Sequence, residues 1–366
     1  MADVVLNMRD GRPIWAIPAR AVEELRGALP AGWSLFVASG PADGSGDGGD
    51  TPPPEVLEAV RGARVYFGFG VSPAVLEAAG PSLQWVHSGA AGVGSSLEAI
   101  RSAPGVRFTN SAGIHGPPIA ETVLGMLLHF ARGLDLAIEG KGRRAWDPGP
   151  FLAADTPVCE LGEMTVGILG YGGIGREIGR RLAPLGTRVL GFRRSAEPLV
   201  RMEASIGSGK TIEPGGTGDP GEAVDAAVVL HGPAGLERLL GESDALVLAA
   251  PLTPETQGIL GAERIRSLRR GAILVNIGRG GLVDEAALVE ALRDGHLRGA
   301  GLDVFATEPL PSSSLLWLLP NVLVTPHVSA VTRQFWRREM DLVVENFRRH
   351  IAGLPLLNEV QPDRGY

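Results

Sequence analysis

Through most of this 366-residue chain, short apolar runs alternate with stretches in which apolar residues return every three or four positions. In the first third, residues 35–38, 65–69, 83–86 and 106–109 have the apolar, β-branched or aromatic character of strands. Residues 54–61 and 73–79 between them start with proline and read as helices. The alternation resumes after residue 160. Strands are predicted at 164–169, 188–192, 228–230, 245–249, 273–277, 300–304 and 322–325, and helices at 174–185, 234–240, 262–268 and 284–294, with Asp284 as an N-cap. Such alternation is the mark of βαβ units, so the chain reads as α/β with doubly wound parallel sheets. A long helix over 117–136, with Ile119, Val123, Met126, Leu127 and Phe130 on one broad face, lies between the two series. A last amphipathic helix is predicted over 332–350. Two stretches rich in glycine, proline and aspartate, 41–54 and 207–221, read as a loop and an insertion.

Composition narrows the partners. Charged residues make up 20% of the chain and the net charge is -7, with no basic run beyond isolated arginine pairs, which argues against nucleic acid or an anionic membrane as the main partner. The single cysteine, Cys159, allows neither an intramolecular disulfide nor a thiolate metal cluster, and no metal site is expected. No apolar run reaches membrane-spanning length and no secretory leader pattern is seen, so the expected location is cytoplasmic.

Gly170, Gly172 and Gly175 fit the spacing G-x-G-x-x-G, between a strand and a helix that stops at Gly186. In that setting the first glycine permits a tight turn, the second lets backbone approach a pyrophosphate, and the third lets helix and strand pack closely. A dinucleotide would place its phosphates on the free N–H groups at the helix start. A second glycine-rich turn, residues 88–94, follows the strand at 83–86. Its N–H groups suit a substrate carboxylate, and a plain tight turn is the competing reading.

Arg279, Glu308 and His327 fall just beyond three successive strands of the second series. In a parallel sheet those ends line the edge where the glycine turn would hold its cofactor. An arginine fork can grip a carboxylate and polarise the adjacent carbonyl. An imidazole can hand a proton to the oxygen, and a carboxylate beside it fixes the tautomer and favours the charged donor. The three together suit hydride transfer to a 2-oxo acid.

Five motifs, in order along nearly the whole chain, resemble the D-2-hydroxyacid dehydrogenase family. They are residues 169–175, 251–256, 275–280, 301–309 and 325–327. The resemblance implies a Rossmann nucleotide-binding domain, 116–331, inserted into a flavodoxin-like substrate domain made of 1–115 and 332–366. It implies that Arg279 binds and polarises substrate, that His327 is the acid/base with Glu308 as partner, and that Ala91, Gly92 and Val93 offer backbone donors to the substrate carboxylate. It implies cofactor contacts from Gly170, Tyr171, Gly172, Gly173, Ile174, Gly175, Pro251, Thr256 and Ile277, and a contact from Asp303 to the nicotinamide amide. A homodimer built on the nucleotide domain and the helix at 117–136 is also implied.

Two departures refine this. NAD-binding domains of this kind place an acidic residue after the second strand to hold the ribose 2′-hydroxyl. This chain has Arg193, Arg194 and Ser195 there, which suit a 2′-phosphate, so NADP(H) is expected over NAD(H). Gly94 stands where many relatives carry aspartate, so substrate preference does not transfer from any one subgroup. The leading expectation is a reductase of small 2-oxo acids of the glyoxylate or hydroxypyruvate kind. The alternatives are a nucleotide-sensing regulatory protein of the same fold, and a methyltransferase using the glycine turn, which leaves Arg279 and His327 without a role.

Overall fold

A computed structural model describes residues 2–40, 52–194 and 227–361. The insertion at 207–221, most of the loop at 41–54 and Ser195 lie outside the described residues. The described chain divides into two compact units, one of residues up to 115 and from 331 onward, the other of residues 116–330.

The first unit runs β1 (Val4–Asn7), α1 (Ala19–Ala28), β2 (Leu35–Val37), α2 (Pro54–Ala59), β3 (Val65–Gly68), α3 (Pro73–Ala79), β4 (Trp85–Ser88), α4 (Leu97–Arg101) and β5 (Arg107–Asn110). Its five strands are parallel in the order β2-β1-β3-β4-β5, the doubly wound flavodoxin-like order. The period of two along each strand divides the side chains between two cores. Val4, Leu6, Val65, Phe67 and Trp85 pack on one face with Leu25 of α1 and with Phe335, Met340, Val343 and Phe347 from the end of the chain. Val5, Tyr66 and Val86 pack on the other face with Val56, Val75 and Ile100. Those late residues belong to a helix over Phe335–Ile351, which is numbered α12 below.

The second unit runs α5 (Gly116–Ala131), α6 (Leu134–Arg143), α7 (Gly149–Leu152), β6 (Thr165–Leu169), α8 (Gly173–Leu182), β7 (Arg188–Phe192), β8 (Ala227–Leu230), α9 (Gly232–Glu242), β9 (Ala245–Leu248), α10 (Ala262–Ser267), β10 (Ala272–Asn276), α11 (Glu285–Arg293), β11 (Leu297–Leu302) and β12 (Val322–Val324). Its seven strands are all parallel, in the order β12-β11-β10-β9-β6-β7-β8. Sequence order reverses between β6 and β9, the switch point where open α/β sheets bind ligands. α5 packs closely on β11 where that strand carries Gly299 and Gly301. A Cβ at Gly299 would lie 2.5 Å from the Phe130 ring, and one at Gly301 would lie 2.8 Å from Met126 Sδ.

Three expectations change. The single helix read over 117–136 is two helices, α5 and α6, broken at Gly133, whose φ of 64° suits glycine. A Cβ there would stand 2.9 Å from the Phe151 ring. The fourth strand of the first sheet begins at Trp85 rather than 83, and β11 begins at Leu297 rather than 300. β1, α1, α4, α6 and α7 also form without having been anticipated. The expected cap is present: Asp284 Oδ1 accepts from the N–H groups of Ala286 and Ala287.

Candidate active site

β6 is buried along its whole length and delivers the chain into the glycine turn. Gly170 sits at φ 101°, and a Cβ on it would lie 2.6 Å from the Ala249 carbonyl carbon, so the turn passes against β9 only as glycine. A Cβ on Gly175 would lie 2.5 Å from Gly170 O, which lets α8 start directly over the turn. Gly172 and Gly173 are the opposite case: nothing lies within 4 Å of where their Cβ atoms would be. Two glycines forced by packing and two facing open space at a helix N-terminus fit a cradle for a pyrophosphate. Tyr171 lies in the core at 2% exposure, its N–H donating to Phe192 O, so the turn rests on its ring. Ile174 is half-buried at the start of α8.

Arg193 and Arg194 follow β7. The Arg193 Nε is buried with no hydrogen-bond partner among the described residues, and Arg194 is exposed. A buried, unsatisfied guanidinium nitrogen suits an anionic group of a bound nucleotide. The loop after β9 holds Pro251 and Thr256. Thr256 Oγ1 donates to Pro251 O at 2.7 Å and accepts from Thr253 N at 2.7 Å. A hydrogen bond from the Thr253 hydroxyl holds the Glu255 carboxyl below its usual range, and the Arg194 charge adds a smaller contribution.

Arg279 follows β10 and is exposed, in a loop whose flanking Gly278 and Gly280 are buried. Gly278 N donates to Asn276 Oδ1 and Asn276 Nδ2 donates to Arg279 O, an Asx-type turn that sequence reading missed although Asn-x-Gly after a strand announces it. A Cβ on Gly280 would overlap the Phe305 carbonyl, so the Arg279 loop lies against the segment after β11. Ile277 is buried and donates its N–H to Leu248 O.

The segments after β11 and β12 bring the dyad together. His327 Nδ1 is 2.8 Å from Glu308 Oε2, and Glu308 Oε1 accepts from Phe305 N at 2.9 Å. With Nδ1 engaged, His327 Nε2 has no partner among the described residues, and the side chain is 48% exposed, open to a reactant. His327 sits at φ 54°. Asp303 holds it there: its carbonyl accepts from His327 N, Oδ1 accepts from Thr325 Oγ1 and Val328 N, and Oδ2 accepts from Ser329 N. Asp303 is fully buried, and this anchoring went unread in the sequence.

Ala91, Gly92 and Val93 belong to the first unit, in the loop after β4. Their N–H groups donate to nothing among the described residues, while the carbonyls of Ala90 and Ala91 accept from Ser111 N and Asn110 Nδ2. Among the described residues, no group of three or more His, Cys, Asp or Glu could hold a metal, and no helix is long and apolar enough to cross a membrane.

Comparison with known proteins agrees with this geometry. The family profile described as "D-isomer specific 2-hydroxyacid dehydrogenase, NAD binding domain" matches residues 124–211 and 219–329. Glycerate dehydrogenase of Methylorubrum extorquens is 30% identical over 83% of this chain and 87% of its own. A D-isomer specific 2-hydroxyacid dehydrogenase from Xanthobacter autotrophicus Py2, solved with NADPH and MES, is 31% identical with a TM-score of 0.75, over 100% of this chain and 99% of that one. The NADPH-dependent glyoxylate/hydroxypyruvate reductase of Sinorhizobium meliloti, solved with NADP and sulfate, is 28% identical with a TM-score of 0.73, over 100% of both chains. The chain therefore belongs to the D-isomer specific 2-hydroxyacid dehydrogenase family, a family of NAD(P)-dependent oxidoreductases acting on 2-hydroxy acids.

Proposed function

We propose that this protein is an NADP(H)-preferring reductase of small 2-oxo acids such as glyoxylate and hydroxypyruvate, giving the D-2-hydroxy acid where C2 becomes a stereocentre. The observation that carries the chemistry is the His327–Glu308 contact at 2.8 Å, with Nε2 left free at the carboxyl edge of the sheet that also carries Arg279. When bound, the reduced nicotinamide supplies a hydride to the carbonyl carbon. His327 Nε2 gives its proton to the carbonyl oxygen, and Glu308 holds the ring in the tautomer that leaves this nitrogen outermost and stabilises its charged form. Arg279 holds the substrate carboxylate and polarises the oxo group. Ala91, Gly92 and Val93 offer N–H donors to the carboxylate. The contact to the nicotinamide amide expected of Asp303 is not proposed, because its carboxylate is fully buried against Thr325, Val328 and Ser329.

Preference for NADP(H) is supported by the unsatisfied Arg193 Nε and the exposed Arg194 charge, together with the nucleotides named for the Xanthobacter and Sinorhizobium proteins. Ser195 shares the assignment and lies outside the described residues. We also assign a homodimer. Trp146 is 97% exposed, Leu152 79% and Ile138 61%, three large apolar side chains from α6 to α7 that a partner surface would cover. The single cysteine suits the cytoplasmic location we assign.

Two variants test the reading. His327→Ala is expected to lower kcat by about 10²- to 10⁴-fold, the usual scale of general acid catalysis, with NADPH affinity retained. Unchanged turnover would remove His327 from this role. Arg193→Asp is expected to move the ratio of NADPH to NADH efficiencies by tenfold or more, roughly the effect of losing a charged hydrogen bond. An unmoved ratio would discard the 2′-phosphate assignment.

A further inference from the structure

Beneath the loop at 88–93, the first unit buries a histidine and a glutamate that the reaction does not use. His87 and Glu339 are each 0% exposed, and His87 Nε2 lies 2.9 Å from Glu339 Oε1. The contact continues in both directions. His87 Nδ1 is 2.7 Å from Thr109 Oγ1, which accepts from Trp85 Nε1 at 2.9 Å. Glu339 Oε2 is 2.8 Å from Ser111 Oγ, which is in turn 2.9 Å from the Ser88 carbonyl oxygen. A row of five contacts thus runs from the Trp85 indole to the carbonyl that ends β4, and a sixth, 3.4 Å from Ser111 Oγ to His87 Nε2, bridges it.

Counting protons decides the state of this row. An isolated buried carboxylate beside a neutral imidazole would be an uncompensated charge, the most costly choice. The pair therefore carries two protons. If both sat on His87, the Thr109 hydroxyl would accept from both Trp85 and His87, and its own proton would have no acceptor in the row. Ser111, with one proton, would face two acceptors, Glu339 Oε2 and Ser88 O. With one proton on His87 Nε2 and one on Glu339 Oε2, each of the five contacts of the row has one donor and one acceptor, and the longer bridge from Ser111 Oγ shares the Nε2 proton. Trp85 donates to Thr109, Thr109 to His87 Nδ1, His87 Nε2 to Glu339, Glu339 to Ser111 and Ser111 to Ser88 O.

We propose that His87 and Glu339 form an uncharged, proton-ordered pair whose role is positioning: through Ser111 it fixes the loop whose free N–H groups at 91–93 receive the substrate carboxylate. The inference rests on that reading of residues 91–93. The same strand end completes the clamp, since Ser111 N and Asn110 Nδ2 hold the Ala90 and Ala91 carbonyls. With the Ala90 and Ala91 carbonyls turned onto Ser111 and Asn110, the N–H groups of Ala91 and Gly92 face the other way across their trans peptides, and those of Ala91, Gly92 and Val93 have no partner among the described residues.

The test uses the full-length enzyme with glyoxylate and NADPH. Glutamine is the isostere of a protonated glutamate, able to accept from His87 and donate to Ser111. Glu339→Gln is therefore expected to keep KM for glyoxylate within about twofold and to leave the thermal midpoint close to wild type. Ser111→Ala is expected to raise that KM about tenfold, the order of one lost hydrogen bond, with kcat and NADPH affinity unchanged. Infrared difference spectra of wild type against Glu339→Gln should show the loss of a protonated-carboxyl C=O band, a readout that needs no turnover. A carboxylate band instead, or a Glu339→Gln thermal midpoint as low as that of Glu339→Ala, would overturn the uncharged pair. An unmoved KM in Ser111→Ala would overturn its positioning role. Absence of turnover in wild type, with the carboxyl band present, would count against the proposed reaction and not against the pair.

Discussion

A histidine at φ 54° has to be held, and here one buried aspartate does it. Asp303 accepts from three donors between Thr325 and Ser329 through its carboxylate and from His327 through its carbonyl. Asp303→Ala would leave two backbone N–H groups and a hydroxyl without acceptors. The expected cost is about 3 kcal/mol of stability, with a loss of kcat approaching that of His327→Ala, read by chemical denaturation and steady-state rates. Gly280→Ala is expected to separate the Arg279 loop from Phe305 and lower stability by about 3 kcal/mol, the upper range for overpacking; a near-neutral variant would show that the loop gives way freely. At this scale the residues proposed for the site were legible in the sequence. Arg279, Glu308 and His327 stand out as a set because they come two, four and two residues after three successive apolar strand runs, and a cation, a carboxylate and an imidazole together at one sheet edge are hard to explain as packing. Asp303 and the His87–Glu339 pair do not stand out. Three of the partners of Asp303 lie 22, 25 and 26 residues away, and His87 and Glu339 are separated by 252, distances over which no local pattern operates.

Helices α5 and α8 show what the pattern resolves among elements and what it misses. The apolar stripe of α5 was legible from its spacing, and the break at Gly133 was not. A glycine inside a continuing helical pattern reads as tolerable until the Phe151 and Val158 side chains crowd its position. α8 adds a polar seam: Glu177 bonds Arg180 at 2.9 Å and also Arg181, which reaches Glu121 of α5 at 3.4 Å. Burial pushes the Glu177 carboxyl up, and the bonds from Arg180 and Arg181 outweigh it, holding it below 4.5. A carboxyl whose value is lowered by folding contributes stability that is fully present above its unfolded value and is lost as pH falls through the folded one. Glu177→Gln is therefore expected to flatten the fall in thermal midpoint as pH drops below 4.5, at a neutral-pH cost of up to about 1 kcal/mol. A variant with the same acid limb as wild type would show that Glu177 contributes nothing to it.

For the whole molecule, the alternation of strands and helices sufficed for two parallel sheets, but β1 was not read although it is buried and lies between β2 and β3. The exposed Trp146, Ile138 and Leu152 make the assembly testable: Trp146→Asp is expected to shift a dimer toward monomer in sedimentation, and an unchanged mass would place the interface elsewhere. The most direct test of the central claim is initial rates with purified protein, following NADPH and NADH oxidation separately against glyoxylate, hydroxypyruvate, pyruvate and phenylpyruvate. The account requires turnover of the small acids, with NADPH well ahead of NADH. Faster NADH oxidation would discard the role given to Arg193 and Arg194, and binding of both nucleotides with no acid reduced would contradict the account.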